Sequence, residues 1–135
     1  MLFSIDERLE KGKFFITNLP LCRVFIHDDS RFPWLVLVPC VPNIQEIYQL
    51  DPTQQHALVE EISLVSKILQ NYVNADKVNI AAFGNIVPQL HIHIIARFKT
   101  DLAWPDPVIG LKGSVPYGLG RKDGMISNLR ALLFC

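Results

Sequence analysis

Apolar and polar positions change rhythm along this chain, and each change marks an element. Ile5 and Leu9, at helical spacing among charges, predict a short helix from Ser4 to Lys11 that ends at Gly12. Phe14-Phe15-Ile16 followed by Asn18-Leu19-Pro20 predicts a strand and a turn. Cys22 to His27 alternates, and Trp34 to Val38 is almost continuously apolar before Pro39. With the turn-rich Asp28–Pro33 between them, these two runs predict an antiparallel hairpin. Pro42 to Gln49 is a connector with one apolar edge. The period then lengthens. Asp51-Pro52-Thr53-Gln54 has the chemistry of a helix start, with an N-cap, a proline at the first helical position and a glutamine at the third. Leu58, Ile62, Val65, Leu69 and Tyr72 or Val73 form one buried stripe, so the helix runs to about Ala75 and packs across the sheet. His56 lies off that stripe and is expected to be exposed.

Alternation returns at Val78–Phe83, with Asn79 and Ala81 on one face and Val78, Ile80 and Ala82 on the other. Gly84-Asn85 turns the chain into Gln89–Ile95, another alternating strand. Prolines and glycines make the segment after Arg97 a loop to about Gly120, with Trp104 expected to bury against its own domain. Met125, Leu129, Leu132 and Leu133 predict a terminal helix from Asp123. The predicted fold is α+β: one domain over residues 1–135, an antiparallel sheet of about five strands, one long helix across it and a short C-terminal helix.

Composition narrows the function classes. Half of the residues are hydrophobic and 19% are charged, which suits a globular domain with a real core. The formal net charge is zero, so bulk attraction to nucleic acid or to an acidic membrane is not expected. No apolar run reaches membrane-spanning length, and the first residues lack a basic-then-apolar signal pattern. Cys22, Cys40 and Cys135 are odd in number and not closely spaced, which fits a cytoplasmic protein better than a disulfide framework.

The chemistry concentrates in Gln89-Leu90-His91-Ile92-His93-Ile94-Ile95. On a strand, Gln89, His91 and His93 share a face at roughly 6.5–7 Å intervals. Imidazoles on an otherwise apolar strand need a reason, because burying them unpaired costs free energy. Three readings stand: half-exposed histidines on a solvent face, two nitrogens on one metal ion, or a histidine nucleophile beside polar groups that hold its electrophile.

These residues resemble the histidine triad family, which carries His-x-His-x-His-x-x with apolar x on a late strand. Here the first histidine is replaced by Gln89, and the resemblance extends more loosely from about Arg23 to Pro107. It implies that His91 attacks the α-phosphorus of a nucleotide and holds the nucleotidyl group until water or another acceptor takes it. It implies that His93 donates to a phosphate oxygen, that Asp28 and Asp29 lie in the turn that contacts the nucleoside, and that Asn79 or Asn85 flanks the histidine row. It also implies a homodimer and no metal or cofactor. Three positions depart from the family: Gln89; Trp34, where a histidine is common; and Ile86 in Gly84-Asn85-Ile86-Val87, where a hydroxyl side chain is usual.

Gln89 is expected to keep a substrate contact, since an amide can hydrogen-bond a phosphate but cannot relay a proton as imidazole does. A leaving group that bears charge stably depends less on protonation than an amine. This tilts the expectation toward dinucleoside polyphosphate-like substrates. The rivals are a nucleotide-binding protein that has lost turnover, a metal-binding protein using His91 and His93, and an interaction protein whose dimer surface is the functional part.

Overall fold

Strand pairing, visible in the computed structural model of residues 2–134, orders everything else. The five strands are β1 (Lys13–Asn18), β2 (Cys22–His27), β3 (Trp34–Pro39), β4 (Lys77–Ala81) and β5 (Ile92–Arg97). They form one sheet in the order β1-β2-β3-β5-β4, and every neighbouring pair is antiparallel. Residues directly opposite one another share a face. Ile26, Leu35, Ile92 and Ile94 therefore belong to one side, and Trp34, Val36, His93 and Ile95 to the other.

The first side carries the larger core. Helix α2 (Pro52–Val73) and helix α3 (Leu119–Leu133) cover it with Leu58, Val65, Leu69, Met125, Leu129 and Leu133. The second side holds a smaller cluster. There Phe25, Trp34, Val36 and Ile95 pack with Phe32, with Ile5 and Leu9 of the N-terminal segment, and with Val108 of the late loop. The N-terminal helix α1 is short, Glu7–Glu10, with Asp6 as its cap. Gly12 follows at φ +70°, a left-handed turn that suits glycine.

Helix α2 starts as expected: Asp51 accepts from the Gln54 backbone N–H, and the Gln54 side chain accepts from the backbone N–H of Asp51. It ends at Asn74, with φ 55°. Its buried stripe includes one charge. Glu61 accepts from the backbone N–H groups of Leu21 and Cys22, both at 2.8 Å, and so holds the turn between β1 and β2. Helix α3 begins at Leu119, before the expected Asp123, despite Gly120 and Gly124. Burial of Met125, Leu129 and Leu133 against β1 and α2 outweighs the poor helix propensity of those glycines.

The motif strand differs from expectation. It begins at Ile92, and Gln89, Leu90 and His91 precede it. The β3 ladder ends at the Leu37–Ile92 pair and the β4 ladder at the Ala81–His93 pair, so among the described residues no strand pairs with the earlier ones. Leu90 instead donates its backbone N–H to Ile44 of the connector. Cys22 and Cys40 are free thiols, and Cys135 lies outside the described residues. Among the described residues, no helix is long and apolar enough to cross a membrane.

Candidate active site

His91 sits just ahead of β5, and only 8% of it is exposed. Its Nδ1 lies 2.7 Å from the backbone carbonyl of Gln89. A carbonyl only accepts, so Nδ1 carries the proton and Nε2 keeps a free lone pair. Burial, together with the Lys13 charge, lowers the His91 pKa below the usual imidazole value, although the bond to Gln89 opposes this. The ring is therefore neutral near pH 7.

His93 is built differently. The indole Nε1–H of Trp34 donates to its Nδ1 at 3.1 Å. Indole can only donate, so in the neutral ring the proton sits on Nε2. Burial, then the charges of His91, Lys13 and His27, push the His93 pKa down to about 3. The two rings meet edge to face, with centroids 4.9 Å apart. One imidazole offers a lone pair and its neighbour an N–H donor, the complement a nucleophile at phosphorus requires.

Behind this pair stands His27, with its ring 4.2 Å from that of Trp34. Burial, then Lys13, hold its pKa down, against Asp29 and Asp28. Its Nδ1 is buried with no hydrogen-bond partner among the described residues. Lys13 pairs with His27 across the β1–β2 ladder, and burial lowers its own pKa.

A cavity of 340 Å³ opens in front of the two histidines. Lys13, Arg8 and Leu9, the loop Gly84–Val87 and Ile109 line it with them. A second cavity, of 460 Å³, shares His91, Phe83 and Gly84 and reaches Ile47 and Tyr48. Gly84, at φ +69°, makes the turn that presents Asn85 and Ile86 to the first cavity, a backbone conformation that a side chain would strain.

The structure brings His91, His93 and Asn85 to the same cavity; Asn85 is exposed there. Gln89 is engaged elsewhere. Its amide donates to the Ser4 carbonyl at 2.9 Å and accepts from the Asp6 N–H at 2.8 Å, which ties the N-terminal segment to the motif. It does not join the two imidazoles in one row, because it precedes the strand whose alternation would have aligned it. Asn79 is on the expected face but lies opposite Ile95 and accepts from the Arg97 guanidinium at 2.9 Å. Arg97 in turn pairs with Asp101 and lies over the Trp104 ring. Asp28 accepts from the Tyr117 backbone N–H at 2.9 Å, and Asp29, paired with Arg31, accepts from the Val115 backbone N–H at 3.3 Å. Both carboxylates thus hold the late loop against the β2–β3 turn. Sequence reasoning missed Lys13 and Arg8 as cavity residues and Trp34 as a partner of His93. Lys13 adjoins the Phe14-Phe15-Ile16 run read as a strand, but its facing needed the β1 register. Among the described residues, no group of three histidine, cysteine or carboxylate side chains is arranged to hold a metal ion.

The HIT domain profile matches residues 8–100. The chain belongs to the HIT family. Solved structures of histidine triad proteins resemble this HIT protein over nearly its whole length. The protein from Bradyrhizobium japonicum is 44% identical, covers 98% of this chain and 99% of its own, and superposes with a TM-score of 0.96. Those from Marinobacter aquaeolei and Sinorhizobium meliloti are each 40% identical. The coverages are 99% of this chain and 98% of the Marinobacter chain, and 97% of both chains for Sinorhizobium, with TM-scores of 0.96 and 0.94. No curated protein matches the chain. Membership of the HIT family supports a nucleotide-related function, as a hydrolase or transferase, for this fold.

Proposed function

We propose that this protein is a nucleotide hydrolase or nucleotidyl transferase that acts at the α-phosphate through a covalent intermediate on His91. One observation carries the reading: the Nδ1–H of His91 is anchored on the Gln89 carbonyl, so the lone pair of Nε2 is available at a cavity. Nε2 attacks phosphorus, and the bond to the leaving oxygen breaks with its electron pair going to that oxygen. The ring, now positive, keeps its Nδ1–H on the carbonyl, and His93 Nε2–H donates to a nonbridging oxygen. Water then attacks phosphorus, neutral His91 departs, and the water proton passes to solvent or to the released anion. The scheme uses no metal and no cofactor.

Neither His93, held neutral, nor Gln89, engaged with Ser4 and Asp6, is placed to deliver a proton. This favours leaving groups that depart as stable anions, such as those of dinucleoside polyphosphates. Asn85 is a substrate contact in this reading, whereas Gln89, Asn79 and Asp28 position the elements around the site.

A homodimer is part of the proposal. β4 is a sheet edge, and Ile80 on it, Phe83 just after it and Tyr48, which shares a cavity with Phe83, are exposed apolar or aromatic side chains. So is a cytoplasmic location, on the unpaired Cys22 and Cys40.

Intact-protein mass spectrometry after brief exposure to adenylylated substrates tests the chemistry. The expected result is an adduct of nucleoside monophosphate mass that His91→Ala abolishes. Turnover that survives His91→Ala overturns the mechanism. Nucleotide binding with no product favours a binder that has lost catalysis, the reading suggested by the engagement of Gln89 and by Ile86 in place of a hydroxyl.

A further inference from the structure

Among the described residues, Lys13 is the cation lining this cavity that has no counter-charge. Arg8, the other basic residue lining it, is held by Asp6 through two side-chain bonds of 3.1 and 2.7 Å. Among the described residues, no carboxylate lies within ion-pair distance of Lys13, and its ammonium makes no hydrogen bond. Yet the side chain is half-buried, at the start of β1, opposite His27. A partly desolvated ammonium without a partner costs free energy that a bound anion would offset. Its position is also specific. The Lys13–His27 pairing and its place in the cavity lining beside His91 and His93 put it on the reacting side of the sheet, and its charge lowers the pKa of all three histidines.

We propose that Lys13 binds the leaving phosphate chain of the substrate, beyond the phosphorus that His91 attacks, and so selects nucleotides whose leaving group is itself a phosphate or polyphosphate. The assignment of "leaving" rests on His91 as nucleophile; recognition of the anion does not. As the bond to the bridging oxygen breaks, negative charge builds on that oxygen, and an ammonium already in place stabilises it without a proton having to move. Lys13 then supplies the positive group that Gln89 cannot. An amine leaving group gains nothing from it, because an amine needs a proton to depart.

The test is calorimetric titration of AMP and ATP (the latter as its uncleavable α,β-methylene analogue) into the full chain, its Lys13→Met variant and its Lys13→Arg variant. The wild type should bind ATP at least tenfold tighter than AMP. Lys13→Met should lose that increment, and Lys13→Arg should keep most of it. Thermal unfolding of Lys13→Met should be equal to or above wild type, since an unpaired charge is removed. Equal affinities for AMP and ATP in the wild type, an increment that survives in Lys13→Met, or a clear fall in unfolding temperature in that variant would each overturn the proposal. Loss of turnover chemistry with the ATP increment intact would remove the His91 reading and leave the Lys13 site standing. The reverse pattern would remove Lys13 alone.

Discussion

The indole N–H of Trp34 ends 3.1 Å from Nδ1 of His93, reaching diagonally across the β3–β5 ladder. A residue with no acid–base chemistry thereby decides which nitrogen of a neighbouring imidazole carries hydrogen. Trp34→Phe keeps the ring and removes the donor. It should lower kcat/KM about fivefold to tenfold, the size of one neutral hydrogen bond at about 1 kcal/mol, with little change in KM. Nitrogen NMR of the wild type should find His93 protonated at Nε2 alone, and the variant should show both tautomers. A wild-type proton on Nδ1 would refute the assignment.

Acid should weaken the fold from about the ordinary imidazole value of 6.5 downward. His27, His91 and His93 all have lowered values in the folded state, each with burial as the leading cause. Below pH 6.5 the unfolded chain takes up protons that the folded chain refuses, so stability is complete above that point and falls with pH. Asp29 and Asp101, lowered from 3.8, add losses only at more acid pH. Calorimetry between pH 8 and 4.5 should show the unfolding temperature dropping with acid, and less steeply in His93→Gln. Activity should persist somewhat below pH 6.5, because neutral His91 does. A stability that rises with acid over this range would contradict the buried neutral histidines.

Gln89→Ala should loosen the N-terminal segment rather than the nucleophile. It removes the bonds to Ser4 and Asp6 but leaves the Gln89 carbonyl that holds His91. Hydrogen exchange should rise at Asp6 and through α1, with a stability loss of about 1 kcal/mol. If the Asp6 amide stays protected, the tether is not as described.

Glu61→Ala strips two buried backbone N–H groups, at Leu21 and Cys22, of a charged acceptor. The expected cost is about 2–4 kcal/mol, read from denaturant unfolding. A loss below about 0.5 kcal/mol would mean that water or a shifted turn replaces the carboxylate.

The start of α2 was legible because its chemistry is local: Asp51, Pro52 and Gln54 carry the cap within four residues. Three strands were legible from alternation and the other two, β1 and β3, from apolar runs, and His91 and His93 were legible from their spacing. Glu61 was not, because the stripe rule sorts residues by hydropathy, and a carboxylate on that face makes sense only once the β1–β2 turn is beside it. Lys13 was hidden for a similar reason. A lysine beginning a strand reads as solvated until the Lys13–His27 pair fixes which way it faces. Position 89 misled because alternation says nothing about where a ladder ends. Trp34 was visible as a departure from the family, but its donor geometry depends on the β3–β5 register.

Position 89 splits into two independent offices. The peptide oxygen steers the imidazole two residues on, while the side-chain amide docks the leading residues of the chain. Any amino acid supplies the first. Only one with a donor and an acceptor at glutamine's reach supplies the second. Exchanging histidine for glutamine there therefore leaves the aim of the attacking ring untouched, while the leading residues of the chain are held by a tether that ends beside that ring.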